Sequence, residues 1–511
     1  MSNMDRRIEE LLARLETQAE KLEIAPSVQD IGRVLSVGDG VAQVGGLPEA
    51  ANNEVVIFEN GTQGQVFDLA RDTAGCVLYG TEAGISASSP VARTGKLASV
   101  PVGEEVLSRV IDPLGRPLDG KAPLATTQWR DVEEEAPGVL DRQPVREPLL
   151  SGIKVIDAAV PIGLGQRELI LGDRETGKTS IALDAIINQK ESGVVCVYVS
   201  IGAKRASVRQ IIDELTNRGS FSHTVVVVAD AAEPAALRYL APYAGCSIAE
   251  WFAYRGRHSL IVYDDLTRHA EAYRDISLLL RRPPTREAYP GDIFFAHARL
   301  MERAFKLSDG RGGGSVTALP IIQTQRGNFS GFIPTNLISM TDGQIFLSTG
   351  LFAAGQLPAV DVGLSVSRVG GSAQPGTLRH AAANVRLELS QYEEVKSFTR
   401  FGTLLDESTQ RQLARGERLT MVLRQRERSP LSLALTVAEM WALKTGLLDD
   451  LPPARFAALE PALQSLAVSF PQLDTLVQAG SGVTPELADQ ITRWVQAARL
   501  SLPQGGKSNE A

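Results

Sequence analysis

Hydrophobic and polar positions change their period along the chain. Over residues 1–26, Ile8, Leu11, Leu12 and Leu15 recur at helical spacing with Glu and Arg filling the other face, which predicts one amphipathic helix. A lone helix of that length is marginal in water, so it either packs on its own chain or serves as an arm for a partner. From 27 to 95 the period becomes two. Ile31, Val34 and Val37, then Val55, Val56, Ile57 and Phe58, then Val66 and Leu69 form short strand-like runs. Turn signals at Gly38-Asp39-Gly40, Gly45-Gly46 and Asn60-Gly61 separate them, and short strands so spaced predict a small β-barrel. This segment carries no metal-ligand cluster and no paired carboxylates.

Between 96 and 375, strand-like apolar runs alternate with helical stretches, the pattern of a sheet covered by helices on both faces. Strands are expected at Glu168–Leu171, Val194–Val199, Val225–Ala229, Leu260–Tyr263 and Val316–Ile322. From 376 to 503 helical periodicity takes over. Pro430, Pro452, Pro453, Pro461, Pro471 and Pro485 there mark helix starts or breaks, and 504–511 reads as a polar, disordered tail. No internal repeat is apparent.

The chemistry begins at the end of the first of these strands. Gly172, Asp173, Arg174, Glu175, Thr176, Gly177, Lys178 and Thr179 fit the pattern G-x-x-x-x-G-K-[ST], with an apolar strand leading in and a helix-prone run from Ser180 following. Glycines let backbone N–H groups turn inward around phosphates without a Cβ in the way, and the helix points its positive end at them. Lys178 then reaches the terminal phosphates, and the Thr179 hydroxyl ligates Mg²⁺. The run Leu260–Tyr263 ends in Asp264-Asp265, and an acid at the end of a buried strand is what the metal's water shell needs; Asp264 is the candidate.

Binding is not hydrolysis. A hydrolytic site needs a carboxylate or amide that orients the attacking water, and its natural place is just after the next core strand. There the chain has Ala203, whose methyl group cannot do this, followed by Lys204 and Arg205. Glu175, inside the loop, reads as solvated. A further arginine, Arg368, stands among small residues and glycines from Gly363 to Gly371, free either to face solvent or to reach a neighbouring surface.

Composition narrows the setting. At 511 residues the chain has room for about three domains, and 43% hydrophobic with 22% charged residues excludes wholesale disorder. The net charge of −8 disfavours general binding to nucleic acid. Three scattered cysteines suggest reduced thiols in a cytosol-like compartment, no apolar run is long enough to span a membrane, and the N-terminus is too charged for a signal peptide. The five histidines (His223, His258, His269, His297, His380) show no metal-ligand spacing.

With these residues in hand, the chain resembles the α subunits of F-type rotary ATP synthases over about 25–430. The likeness is carried by Val110–Leu118, Pro161–Gly163, Gly165–Leu169, the phosphate loop, Arg281–Pro284, Arg286–Asp292, Ile333–Asn336 and above all Val362–Gly370; beyond 430 only helical character is shared. The resemblance implies a RecA-like α/β P-loop core between an N-terminal β-barrel and a C-terminal helical bundle. It implies Mg²⁺ with ATP or ADP in a noncatalytic site, in a hexamer alternating with catalytic β subunits around a central rotor stalk. The helix over 1–26 would dock a peripheral stator subunit. The head would sit at the cytoplasmic face of the plasma (inner) membrane, attached only through the ion-conducting sector, with no nucleic acid involved. By the same resemblance Arg368 acts on the β site, Ser365 supports it, and Phe352 and Gln425 lie by the base. The chain departs from the family pattern at Ala203, Leu357, Glu427 and Gln323.

Two other classes compete. A catalytic ring ATPase of the secretion-motor kind would need a Glu near 203, and an RNA translocase would need basic and aromatic residues interleaved over 27–95; neither is found. A structural subunit that has lost nucleotide binding would not keep the loop and Asp264.

Overall fold

The computed structural model describes residues 31–399 and 406–502. The helix expected over 1–26 and the tail expected over 504–511 lie outside the described residues. Strands β1 (Ile31–Gly38), β2 (Val41–Gly45), β3 (Glu54–Phe58), β4 (Gln63–Leu69), β5 (Thr73–Leu78) and β6 (Pro90–Leu97) close into a barrel in the order β1-β2-β5-β4-β3-β6. Alternation along each strand sends Val34, Val44, Val56, Val66, Leu78 and Val91 into one small core. Arg282 ties the barrel to the next domain: it donates to the Phe67 carbonyl at 2.6 Å and lies over the Phe67 ring.

The central sheet is built from β7 (Val110–Ile111), β8 (Glu168–Gly172), β9 (Val195–Ile201), β10 (Thr224–Ala229), β11 (His258–Asp264), β12 (Ser315–Gln323), β13 (Gly343–Leu347) and β14 (Val366–Ser367). Their order is β14-β13-β8-β12-β11-β9-β10-β7, parallel except where β14 runs against β13, and a ninth strand of two residues, Phe305–Lys306, pairs antiparallel with β12. The five strands expected from apolar runs are all present, within two residues at each end. β7 and β14, of two residues each, are too short to give such a signal, and β13 opens on Gly343-Gln344, which breaks the apolar run.

Four crossover helices, α1 (Lys178–Ile187), α2 (Arg205–Asn217), α3 (Ala235–Ala253) and α4 (Leu266–Leu279), cover the sheet. Alternate residues of each strand feed separate cores. Ile170, Tyr198 and Val262 pack with α1 and α2 on one side; Leu171, Val197 and Tyr263 pack with α3 and α4 on the other. That two-sided burial explains why these strands read as unbroken apolar runs.

The rest is helical, as its periodicity predicts: α5 (Val385–Thr399), α6 (Glu407–Val422), α7 (Leu433–Lys444), α8 (Phe456–Leu466), α9 (Leu473–Ala479) and α10 (Pro485–Ser501). Ser432 and Thr484 cap α7 and α10 with their hydroxyls, and Pro485 takes the first helical position, where its missing N–H costs nothing. Pro461 instead lies inside α8. The bundle's core is continuous with the α1 side of the sheet.

One buried ionic cluster locks the two together. Lys154, 2% exposed, places its Nζ 3.1 Å from Glu439 of α7 and 2.9 Å from Glu460 of α8. Burial opposes its charge, but the two carboxylates win and hold the ammonium above its ordinary range. Lys154→Met should therefore strand the Glu439 carboxylate and cost about 3 kcal/mol, seen as a lowered denaturation midpoint. Arg209→Ala, at an exposed pair with Asp213, should cost under about 0.5 kcal/mol. Equal losses from the two variants would remove the structural role given to this cluster.

Candidate nucleotide site

The carboxyl ends of β8 and β11 rise side by side with β12 between them, so the phosphate loop and Asp264 meet over one crevice. Gly172 closes β8 where a Cβ would stand 2.8 Å from the Thr176 hydroxyl and 2.9 Å from Leu347. Gly177, at φ +97°, turns the backbone into α1 with open space where a Cβ would project. The loop is braced from outside. Asp173 turns its carboxylate away from the crevice to accept from the Thr324 hydroxyl at 2.6 Å and the Gly327 amide at 2.9 Å. Thr176 donates to the Asp173 carbonyl at 2.8 Å, and the Lys178 ammonium donates to the same oxygen. Arg174 and Glu175 face solvent, and Ser180 begins the wall of the neighbouring cavity.

Lys178 is buried, which pushes its ammonium down, while Asp265, Asp264 and Asp173 draw it back. The Thr179 hydroxyl donates to Asp264 at 2.7 Å, and the Tyr198 hydroxyl donates to the same carboxylate oxygen at 2.6 Å. Burial and the adjacent Asp264 raise the Tyr198 phenol far above its ordinary range, so it remains a donor. A hydroxyl and a single carboxylate oxygen in contact are a hard-oxygen set. They suit Mg²⁺ whose other ligands are phosphate oxygens and water. Among the described residues no group of three or more His, Cys, Asp or Glu is placed to hold a metal by itself.

Ala203 lies where the spacing puts it, just after β9, on a cavity of about 360 Å³ shared with Thr179, Tyr198 and Asp264. Gln210 and Glu214 of α2 line the same cavity. Glu214 is engaged by Arg218 at 3.2 Å, with Arg428 at 4.0 Å.

Beside the loop, a narrower cavity is walled by Ile153, Leu357, Pro358 and Ala359, with Asp184, Gln425, Arg426 and Glu427 around it. Gln425 is there, but its amide is committed: Nε2 donates to the Gly152 and Ser429 carbonyls at 2.7 and 2.9 Å, and Oε1 accepts from the Lys154 amide at 2.9 Å. Phe352 is 41% exposed and does not line this cavity.

Arg368 stands at the far edge of the sheet, directly after β14. Its amide donates to the Asp342 carbonyl at 2.8 Å, and among the described residues its guanidinium takes no hydrogen bond or ion pair. The residues around it are fixed. Ser365 is fully buried, donates to the Asp361 carbonyl at 2.6 Å and accepts from the Phe346 amide at 3.0 Å; Arg386 holds its carbonyl at 2.9 Å. Ser367 donates to the Pro161 carbonyl at 2.8 Å and accepts from Gly370 at 3.1 Å. A charged, exposed side chain is thus mounted on a rigid base.

Family models match three stretches of the sequence. These are the nucleotide-binding domain of the ATP synthase alpha/beta family over residues 152–367, its beta-barrel domain over 27–95, and its C-terminal domain over 374–498. The protein belongs to the ATP synthase alpha/beta family. It is a nucleotide-binding subunit of that family, and its likeness runs on through the helical bundle to residue 498, past the limit near 430 expected from local segments. Bundle helices need an apolar stripe rather than short motifs, which hides them from segment-by-segment reading.

Sequence reading did not single out Tyr198, Ser367 or Asp184 as site residues. A lone tyrosine in the β-branched run Val197-Tyr198-Val199 was the available signal for the first. Asp184 sits on α1 with its Oδ1 buried and unpartnered. Burial pushes its carboxyl up to about 6; Arg428 pulls it down, Glu427 raises it, and Arg218 lowers it. Because the folded value lies above the unfolded one, near 4, the folded protein keeps this proton longer. The stability so gained is full below about pH 4 and lost as pH rises to about 6. Asp184→Asn should stabilise the nucleotide-free protein by about 2 kcal/mol at pH 8 and hardly at about pH 3.5, as read by calorimetry. An equal change at both pH values would contradict this reading.

Proposed function

We propose that this protein is the noncatalytic, regulatory α-type subunit of the soluble head of an F-type ATP synthase. It holds Mg²⁺ with ATP or ADP, alternates with catalytic β subunits in a hexamer around a central rotor stalk, and lends Arg368 to the β site. The assembly makes or consumes ATP coupled to H⁺ or Na⁺ movement at the cytoplasmic face of the plasma (inner) membrane. The subunit joins it as a peripheral component, with the segment over 1–26 meeting the stator. Family membership supports the assembly; the single observation that carries the α assignment is an exposed arginine on a braced loop, whose guanidinium takes no hydrogen bond or ion pair among the described residues and acts within the chain only through its charge on buried Glu168.

In this reading the loop amides and Lys178 bind the nucleotide's phosphates, and Thr179 and Asp264 would hold Mg²⁺. Mg²⁺ there would supply positive charge that offsets the negative charge of the phosphates. Ala203 brings no group that can aim water at the terminal phosphate, so the nucleotide stabilises the subunit rather than being consumed. Ser365 and Ser367 position the Arg368 loop, and the guanidinium offers a planar fork to the phosphoryl group transferring in the neighbouring site, a contribution worth roughly 10³–10⁵ in rate.

Two measurements test this. In the assembled complex, Arg368→Ala should reduce steady-state turnover at least about 10³-fold while Mg-ATP binding to this subunit changes less than about two-fold. Wild-type-like turnover would remove the trans role. Thr179→Ala should weaken ATP binding about ten-fold with Mg²⁺ present and leave it unchanged in chelator, by titration calorimetry. Equal loss in both conditions would remove Thr179 from the metal's shell.

A further inference from the structure

Three adjacent strands place one residue each in a single row at the Arg368 edge of the sheet. Glu168 of β8 pairs with Gly343 of β13, and Gly343 pairs in turn with Ser367 of β14. The middle position has no side chain, and a Cβ there would collide with the Glu168 carboxyl. Glu168 therefore lays its acid over β13, toward the strand that leads into Arg368. Gln166, fully buried, joins the two ends of the row. Its Nε2 donates to Glu168 Oε2 at 2.7 Å and to the Ser367 hydroxyl at 3.2 Å, and its Oε1 accepts from the Gly163 amide at 2.8 Å.

The second carboxyl oxygen of Glu168 is buried and takes no hydrogen bond, an arrangement that costs stability in a protein interior. Burial raises this carboxyl well above its ordinary range; Gln166 draws it down, Asp342 raises it, and Arg368 draws it down. Asp342 is held by Arg167 at 2.9 Å, so of the two facing charges only Arg368 is free to move away. We propose that Glu168 is a positioning residue for Arg368: through Gln166 and Ser367 it fixes the root of the arginine's loop, and through its charge it draws the guanidinium back toward its own subunit. The proposal rests on the reading of Arg368 as a group lent to a neighbouring site, and adds what sets its reach. The attraction is mutual. When the guanidinium turns outward, Glu168 loses a cation and holds its proton more firmly; when Glu168 ionises, the outward position is disfavoured by the same factor.

The test has two arms. In the isolated full-length protein, infrared spectroscopy reads the Glu168 carboxyl as the band lost in Glu168→Gln, a substitution that keeps an acceptor for Gln166 and removes the charge. Arg368→Ala, at an exposed position, should move the titration of that band upward by about half to one pH unit. An unmoved titration would overturn the proposal, whatever Arg368 does in an assembly. In the assembled complex, the turnover of Glu168→Gln relative to the unaltered protein should rise about three- to ten-fold as pH passes through that titration. A ratio that stays constant would leave Glu168 a structural role alone and overturn the proposal. Wild-type-like turnover of Arg368→Ala would instead remove the reading on which the proposal rests, and the infrared arm tells the two failures apart.

Discussion

One carboxylate organises the centre of this molecule. Asp264, at the carboxyl end of β11, receives hydroxyls from Thr179 on α1 and from Tyr198 on β9. Three elements far apart in sequence are thereby joined at the point where phosphates and metal would sit. The sheet order makes this possible, because β12 lies between β8 and β11 and sets the spacing between loop and acid. The apolar cores on both faces make it rigid. The rest of the site depends on that junction being preformed.

In the proposed function, gripping and acting are separated in space. The grip is local: loop glycines, Lys178 and a braced Asp173. The reach is at the sheet's far edge, where buried Ser365 and partly buried Ser367 fix the loop and leave Arg368 exposed. In the role proposed for it, the guanidinium would need a partner surface with developing negative charge. The Lys154 cluster ties the helical bundle to the nucleotide domain close to Gln425, so the base side of the site and the bundle share a wall. Occupancy of the site and the set of the bundle are in this way mechanically adjacent.

Much of this was legible in the residues. The phosphate loop carries its own spacing, and the buried strands announce themselves as unbroken β-branched runs because helices cover both faces. Asp264 was legible because its apolar run follows a phosphate loop upstream; alone, an apolar run ending in an acid is also a common strand exit. Other features were not legible. The strands of two residues have no period to detect. The commitment of Gln425 to backbone partners depends on residues some 270 positions away, which a linear reading cannot pair. Phe352 is near the site in sequence pattern yet outside the cavity's lining, because a short helix, Thr349–Ala353, turns its ring toward solvent. Asp184 carried no signal in the sequence; its burial and its unpartnered Oδ1 appear only in the fold.

The central claim is that the site grips a triphosphate without splitting it. Its most direct test is a single-turnover experiment: purified protein in excess over γ-labelled Mg-ATP, quenched over an hour, with bound nucleotide and released phosphate separated. The label should remain in bound ATP throughout. Release of labelled phosphate within minutes, slowed by Glu214→Gln, would contradict it and give that carboxylate the water-orienting task that Ala203 cannot perform.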